Sequence, residues 1–242
     1  MAGAGGPSPP CVCDREHLDS KATDQSVNKH GEYVAIEPDS PSRRRAPEER
    51  PQQILDAAFH EFGERGLAGT RLDDIAKRAQ LAKGTLYLYF PNKEALFREM
   101  VRTTIIEVLQ QAEASHEGHQ DATAESQLRE YAIRSWNFHR TDRVRVLKRL
   151  VHDELVNFPD LMAFYAEEVI ARGRRLLARI IQRGVTRGEF RPIDPNAAAR
   201  MCSALLLSHS TWCNNRSFHP QLGPDEQIIE EILEFYLHAL KA

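Results

Sequence analysis

An all-α fold is what this sequence predicts: an N-terminal three-helix bundle with a helix-turn-helix, then a C-terminal helical ligand-binding and dimerisation domain. Three observations predict it. From Pro51 onward apolar residues recur at three- and four-residue spacing and never sustain strand-like alternation. Breakers separate the periodic runs, at Gly66, Pro91, Phe158-Pro159, Gly188 to Pro192 and His219-Pro220. Between the first two breakers, TRLDDIAKRAQLAKGTLYLYFPNK (Thr70–Lys93) reads as two short helices with a tight connection. The expected partition is a disordered extension over 1–47, a helix-turn-helix head over 48–95 and a helical domain over 96–242.

Residues 1–47 are rich in Gly, Pro, Ser and charge without a sustained apolar period, so they are expected to be disordered. Cys11 and Cys13 lack the second pair a metal site needs and read as thiols on a tail. Arg43-Arg44-Arg45 has two readings: an arm for an adjacent minor groove, or a solvated charge cluster. The opening MAGAGGPSPPCVC lacks the basic-then-apolar pattern of a secretory signal, and no run of about 18 apolar residues follows. The cytoplasm is the expected location.

The first helix is predicted over Pro51 to Arg65. Proline suits a first helical turn. Ile54, Leu55, Ala58, Phe59 and Phe62 form one apolar stripe, and Gly66 closes it. Thr70 is placed to N-cap the second helix, with Asp73 three residues on as in a capping box. Leu72, Ile75, Ala76 and Ala79 share its buried face. Leu81 turns the chain inward, and Lys83 to Phe90 form the third helix around Leu86 and Phe90 before Pro91 stops it. In a helix-turn-helix this last helix enters the major groove while the one before it braces the backbone. Lys83 and Thr85 stand at its start, Gly84 clears a side chain, Tyr87 and Tyr89 carry hydroxyls, and Lys93 follows the stop. Net charge favours that use: residues 43–104 carry +3 and residues 1–42 carry −4, within a chain of −3.

ILDAAFHEFGERGLAGTRLDDIAKRAQLAKGTLYLYFPNKEALF resembles the DNA-binding domain of the TetR/AcrR family of bacterial one-component regulators. The resemblance rests on the aliphatic and aromatic first helix, on Gly69-Thr70, and on the run Lys83 to Leu96. It implies DNA contacts from Thr70, Lys83, Gly84, Thr85, Tyr87, Tyr89 and Lys93. Two positions depart from the family pattern: Gln80, where Gly is usual, and Ala82, where a small hydroxyl residue is usual. A left-handed Gln80 would cost about 1 kcal/mol relative to Gly, and Ala82 forgoes a side-chain cap of similar worth, about 1 kcal/mol.

Asn92 is expected to cap a long helix reaching Ala114, which the resemblance makes the link between head and ligand domain. Ser115 to Asp121 reads as a loop whose His116 and His119 have no further ligands. Helices are predicted over Ala124–Arg140, Asp142–Asn157, Asp160–Gly184, Pro195–Asn214 and Pro224–Leu240. No phosphate loop, nucleophile elbow or zinc motif occurs, so no cofactor, metal or enzymatic role is expected. His152-Asp153-Glu154 cannot converge on one atom, because consecutive helical residues diverge. Aromatics and methionines between helices suit an apolar pocket. The ligand-binding candidates are Trp136, His139, Phe158, Met162, Tyr165, Met201 and Leu205, joined by Phe138, Leu150 and Leu155; core packing is the competing reading for each.

The last two helices carry small residues (Ala197, Ala198, Ser203, Ala204, Ser208) and an excess of apolar ones from Leu205 to Leu240. By resemblance they would pair with a second copy as a four-helix bundle, setting two recognition helices about 34–36 Å apart on an inverted repeat. The expectation is a homodimeric repressor released from its operator by a small apolar molecule. The rival is a helical sensor or enzyme whose helix-turn-helix reads nothing; such a helix would not need Lys83, Gly84, Thr85, two tyrosines and Lys93 together.

Overall fold

The computed structural model describes residues 47–119 and 121–241, with two backbone pairs before them, Ser26–Val27 and Tyr33–Val34. The chain divides into two units, Met1–Arg45 and Ala46–Ala242. In the first, Ser26–Val27 and Tyr33–Val34 pair antiparallel, Ser26 opposite Val34 and Val27 opposite Tyr33. That ladder departs from the disorder expected over 1–47, and its β-branched and aromatic residues have the character strands favour. Cys11, Cys13 and Arg43 to Arg45 lie outside the described residues.

The second unit is helical in its described residues. Its helices are α1 (Arg50–Gly69), α2 (Leu72–Arg78), α3 (Lys83–Tyr89), α4 (Lys93–Val101), α5 (Glu107–Gly118), α6 (Ala124–His139), α7 (Asp142–Asp153), α8 (Pro159–Tyr165), α9 (Arg172–Thr186), α10 (Pro195–Asn214) and α11 (Asp225–Leu240). A π-helical turn, Arg102–Ile106, joins α4 to α5, and a second, Ala166–Ala171, joins α8 to α9. The long helix expected after Asn92 is therefore α4 and α5 with a π turn between them. Asn92 caps it, accepting from the Ala95 N–H at 2.7 Å. The loop expected from Ser115 begins later, because α5 continues to Gly118 and the His116 ring is tied to Gln127 of α6 at 2.7 Å.

Gly66 breaks α1 as predicted, with φ at +74°. A side chain there would be strained in conformation and would also place Cβ 2.2 Å from Glu154 Oε1. The predicted cap at Thr70 is not formed. Arg71 is the N-cap of α2. The buried Thr70 hydroxyl instead donates back to the Gly66 and Glu61 carbonyls at 2.6 and 3.2 Å, securing the end of α1. Asp73, expected in a capping box, pairs with Lys83. Gln80 adopts the left-handed conformation (φ 55°), and Ala82 precedes α3 without a side-chain cap.

Two hydrophobic cores result. One joins Ile54, Phe62, Ile75, Leu86 and Leu96 of the head to Leu147, Leu150, Leu155, Leu161 and Tyr165 of α7, α8 and the turn between them. The other lies among α6, α9, α10 and α11, around Leu128, Trp136, Leu177, Ile181, Leu206 and Leu233. The packing therefore does not divide at residue 95: α7 and α8 belong to the core of the head.

Candidate nucleic-acid interface and ligand-binding region

The third helix fully buries only Leu86 and exposes Lys83, Gly84, Tyr87 and Leu88. Lys83 is 63% exposed, with Nζ 2.9 Å from Asp73 Oδ2 and 5.7 Å from the centre of the Tyr87 ring. The Asp73 hydrogen bond and charge hold the Lys83 ammonium above the usual lysine range. A Cβ on Gly84 would meet nothing within 4 Å. Glycine inside a helix costs about 1 kcal/mol relative to alanine, and nothing inside the molecule requires it at this position. Tyr87 is exposed, Thr85 half-buried, and Tyr89 half-buried against the core of the head.

Two of the predicted contacts face inward. The Thr70 side chain is 2% exposed. Lys93 Nζ donates to the Leu67 and Ala68 carbonyls at 2.8 and 3.1 Å, with the Phe158 ring 5.9 Å away. The structure brings three other residues to the surface that the sequence reading omitted. Leu88 is 85% exposed, an isolated apolar side chain on the outer face of α3. Arg71 and Lys77 of the α2 segment are exposed and form no ion pair with a described residue. Residue spacing could have flagged Leu88, which lies off the Leu86–Phe90 face.

The turn Leu67–Gly69, which delivers the chain into α2, is held at both ends. The Glu154 carboxylate, just past the end of α7, accepts from the Leu67 and Ala68 N–H groups at 3.0 and 2.7 Å. Lys93 takes the carbonyls of the same two residues. Beside them, the Arg149 guanidinium donates to the Gly63 carbonyl, and Arg143 pairs with Asp56 while lying over the Phe59 ring. Glu154 thus points at the head, whereas His152 is exposed and bonds its neighbour Asp153.

The predicted ligand-binding residues do not surround one cavity. Trp136 is buried in the second core, with Leu205 half-buried at its side. Phe158, Met162 and Tyr165 pack against the core of the head. Leu150 and Leu155 are fully buried there, and Met201 is 62% exposed. Aromatic and methionine content marks a core as readily as a pocket, which is why composition merged two separate regions. His139 has a solvent-shielded Nδ1 with no hydrogen-bond partner, and burial beside Lys148 pushes its imidazole down to about 4. An open cleft of about 550 Å³ lies elsewhere, between α4–α5 and α8–α9; its walls are mostly polar, with Arg98, Glu99, Arg102 and Glu168 beside Ile106 and Phe164. The Arg98 guanidinium sits 5.6 Å over the Phe164 ring.

On the last two helices, Ile228, Ile229, Ile232, Leu233, Tyr236 and Leu240 fill the chain's own core. The outward apolar stripe is narrower than expected: Met201, Ala204, Leu207 and Trp212 on α10 and Phe235 on α11. Cys202 and Cys213 are buried free thiols, and burial pushes Cys202 up to about 12.

Residues 54–100 match the family described as "Bacterial regulatory proteins, tetR family", and residues 126–239 match the "AefR-like transcriptional repressor, C-terminal domain". The chain is 28% identical to YhgD of Bacillus subtilis, an uncharacterized HTH-type transcriptional regulator, over 78% of this chain and 95% of that one. It is 29% identical to the HTH-type transcriptional repressor KstR2 of Mycolicibacterium smegmatis, over 83% and 93%. Among solved structures it is similar in fold to FadR of Bacillus subtilis in complex with stearoyl-CoA (TM-score 0.64, 22% identity, 78% of this chain and 98% of that one). It is also similar to SmeT in a triclosan complex (TM-score 0.67, 23% identity, 80% and 92%).

Proposed function

The chain belongs to the TetR family of bacterial regulatory proteins, and from that premise we propose that this ligand-responsive DNA-binding transcriptional regulator is a repressor. It works as a homodimer. The dimer seats two α3 helices in successive major grooves of an inverted-repeat operator, about 34–36 Å apart. Residues 48–95 read DNA, and residues 96–242 bind the effector and the partner. Its place is the cytoplasm, with the DNA, and no described helix is long and apolar enough to cross a membrane. The role is regulatory, not enzymatic.

One observation carries the reading: the open space around Gly84, flanked by the exposed Lys83, Tyr87 and Leu88. A helix that gives up stability at a site with room for a side chain is shaped for a surface outside the molecule. On that surface Lys83, released from Asp73, and Thr85 meet base edges, while Tyr87, Arg71 and Lys77 meet the backbone. Thr70 and Lys93 act by fixing the turn before α2. KstR2 is named a repressor, and FadR and SmeT were solved with stearoyl-CoA and triclosan, both with large apolar portions. By analogy the effector here is a small, mostly apolar molecule. The open cleft is its proposed entry, because α4, which leaves the head directly, forms one wall. The effector must bind the DNA-incompetent state more tightly, or it shifts nothing.

The test is Gly84→Leu. The variant should melt with the wild type, since its side chain enters empty space, and should lose operator binding by at least about 100-fold in fluorescence anisotropy against the DNA upstream of its own gene. Wild-type affinity should fall steeply with salt. Unchanged operator affinity in Gly84→Leu would refute the docking.

A further inference from the structure

Arg98 on α4 reaches across the cleft to α8, where its guanidinium lies 5.6 Å over the centre of the Phe164 ring. It is half-buried and forms no hydrogen bond or ion pair with a described residue. The ring covers one face of the guanidinium. Its edge, five N–H donors in a planar fork, is left without a protein acceptor. The other two arginines of the cleft are committed. Arg102 is held by Glu99 at 2.6 Å and Glu107 at 2.8 Å, and Arg172 by Glu113 at 2.6 Å. Among the described residues the cleft therefore offers one unanswered cation, and Glu99 and Glu168 share its walls. Two π-helical turns border the same space and pack against each other: Arg102 and Ile106 come from the first, Glu168 from the second. Such turns are rare and occur frequently at functional sites.

We propose that Arg98 receives the carboxylate of a monoanionic small molecule whose apolar body lies along Ile106 and Phe164. This rests on the reading of the cleft as the effector's entry and deepens it by naming the polar group that stays there. A guanidinium fork matches a carboxylate with two parallel hydrogen bonds. The cleft, at about 550 Å³, is in the range of small-molecule sites. One free cation beside two carboxylates suits a single negative charge. A phosphate ester would bring more charge than Arg98 answers and would meet Glu99 and Glu168 with no second free cation to offset them. A neutral molecule would cover the guanidinium edge and leave it unpaired. Because Arg98 belongs to α4, the bound charge acts on the helix that leaves the head.

Isothermal titration calorimetry on the full chain tests this without DNA, with octanoate, octanol and octyl phosphate as probes at mildly alkaline pH. Wild type should bind octanoate at least about 10-fold more tightly than octanol, the worth of a charged hydrogen bond, and more tightly than octyl phosphate. Arg98→Met keeps a side chain that can lie on Phe164; it should melt with the wild type and bind acid and alcohol alike. Arg98→Lys, which keeps the charge and loses the fork, should retain part of the preference. The proposal fails if octanoate binds no more tightly than octanol, or if the preference survives Arg98→Met. Tighter binding of octyl phosphate than of octanoate would overturn the single-charge assignment. Operator release, followed by fluorescence anisotropy, separates this from the reading beneath it. Octanol that releases the operator as well as octanoate does would keep the cleft as an effector site and remove the carboxylate from it. Octanoate that binds through Arg98 without releasing the operator would keep the site and overturn its role as the effector's.

Discussion

The head and the α6–α10 bundle both bury large apolar cores, yet they leave opposite kinds of charged atom without a hydrogen bond. In the head the shielded atoms left without a hydrogen bond include carboxylate oxygens, Glu61 Oε2 and Asp73 Oδ1, and each carboxylate lies beside a cation. Glu61 accepts from Arg78 at 2.6 Å and lies 3.5 Å from Arg65. Glu154 holds two amides and Lys93 two carbonyls. In the bundle, among the described residues, Lys148 has only hydroxyls for partners, His139 Nδ1 has none, and Arg183 keeps a shielded Nε and Nη2 without partners. A region whose shielded anions already lie beside cations is held to one geometry. A region with orphaned cations can still gain from something it has not yet bound. That contrast fits a molecule whose head must be rigid to read DNA and whose bundle must respond.

The contrast is sharpest at Gly66, so the largest effect is expected there. Gly66→Ala places a side chain at φ +74° and drives its Cβ into the Glu154 carboxylate. Strain of this kind costs about 1–3 kcal/mol before the clash is counted, and the clash forces Glu154 off its two amides. Thermal denaturation should show a greater loss than for any other variant of the turn or of the outer face of α3, accompanied by loss of operator binding. A Gly66→Ala protein as stable as wild type would mean the turn is not clamped.

Glu154→Ala comes next. It leaves the Leu67 and Ala68 amides without their acceptor, an unmade bond of about 1–3 kcal/mol where solvent cannot fully replace it. Glu154→Gln should cost less, since an amide oxygen still accepts. If the clamp sets the pitch of α2 and α3, both variants should weaken the operator complex in the same rank order. Equal operator affinity for all three proteins would reduce Glu154 to a stabilising contact.

The bundle is probed by acid. His139 has a folded pKa of about 4 against an ordinary 6.5, because burial disfavours its charged form. Between those values the unfolded chain holds the proton and the folded chain does not, so stability is complete above pH 6.5 and is lost as pH falls toward 4. From pH 7 to 5 the loss is on the order of 2 kcal/mol. Lys148, at about 8 against 10.5, acts on the alkaline side with the same sign: stability rises as pH climbs from 8 to 10.5. Urea denaturation of His139→Leu should show a shallower acid limb. An unchanged limb would assign the acid loss to other groups.

The same division explains what the sequence made legible. The helix-turn-helix could be read because its signals conflict with simple packing: a glycine inside a helix, and a lysine and two tyrosines around one apolar anchor. Its errors were local. Thr70 looked like a cap because hydroxyl residues usually are, but the break at Gly66 turned its hydroxyl toward α1. Glu154 was invisible for the opposite reason. Its partners are more than 80 residues away, and no spacing rule reaches that far. In the bundle, Trp136, Met162 and Met201 share a chemical character but occupy a core, a junction and a surface. Only the packing of α6, α8 and α10 against different neighbours separates them.

The smallest expected effect on folding belongs to Leu88, and it isolates reading from stability. At 85% exposure its side chain contributes little to the core, so Leu88→Ala should change the melting free energy by less than about 0.5 kcal/mol. Leu86, two residues earlier and fully buried, should cost about 2–5 kcal/mol when cut to alanine. On DNA the order reverses if α3 reads the groove, because Leu88 can rest on a thymine methyl or sugar while Leu86 never leaves the core. Leu88→Ala should then weaken the operator complex several-fold and scrambled DNA hardly at all. Equal weakening on both duplexes would place Leu88 on the backbone instead of a base, and no weakening on either would leave it outside the interface.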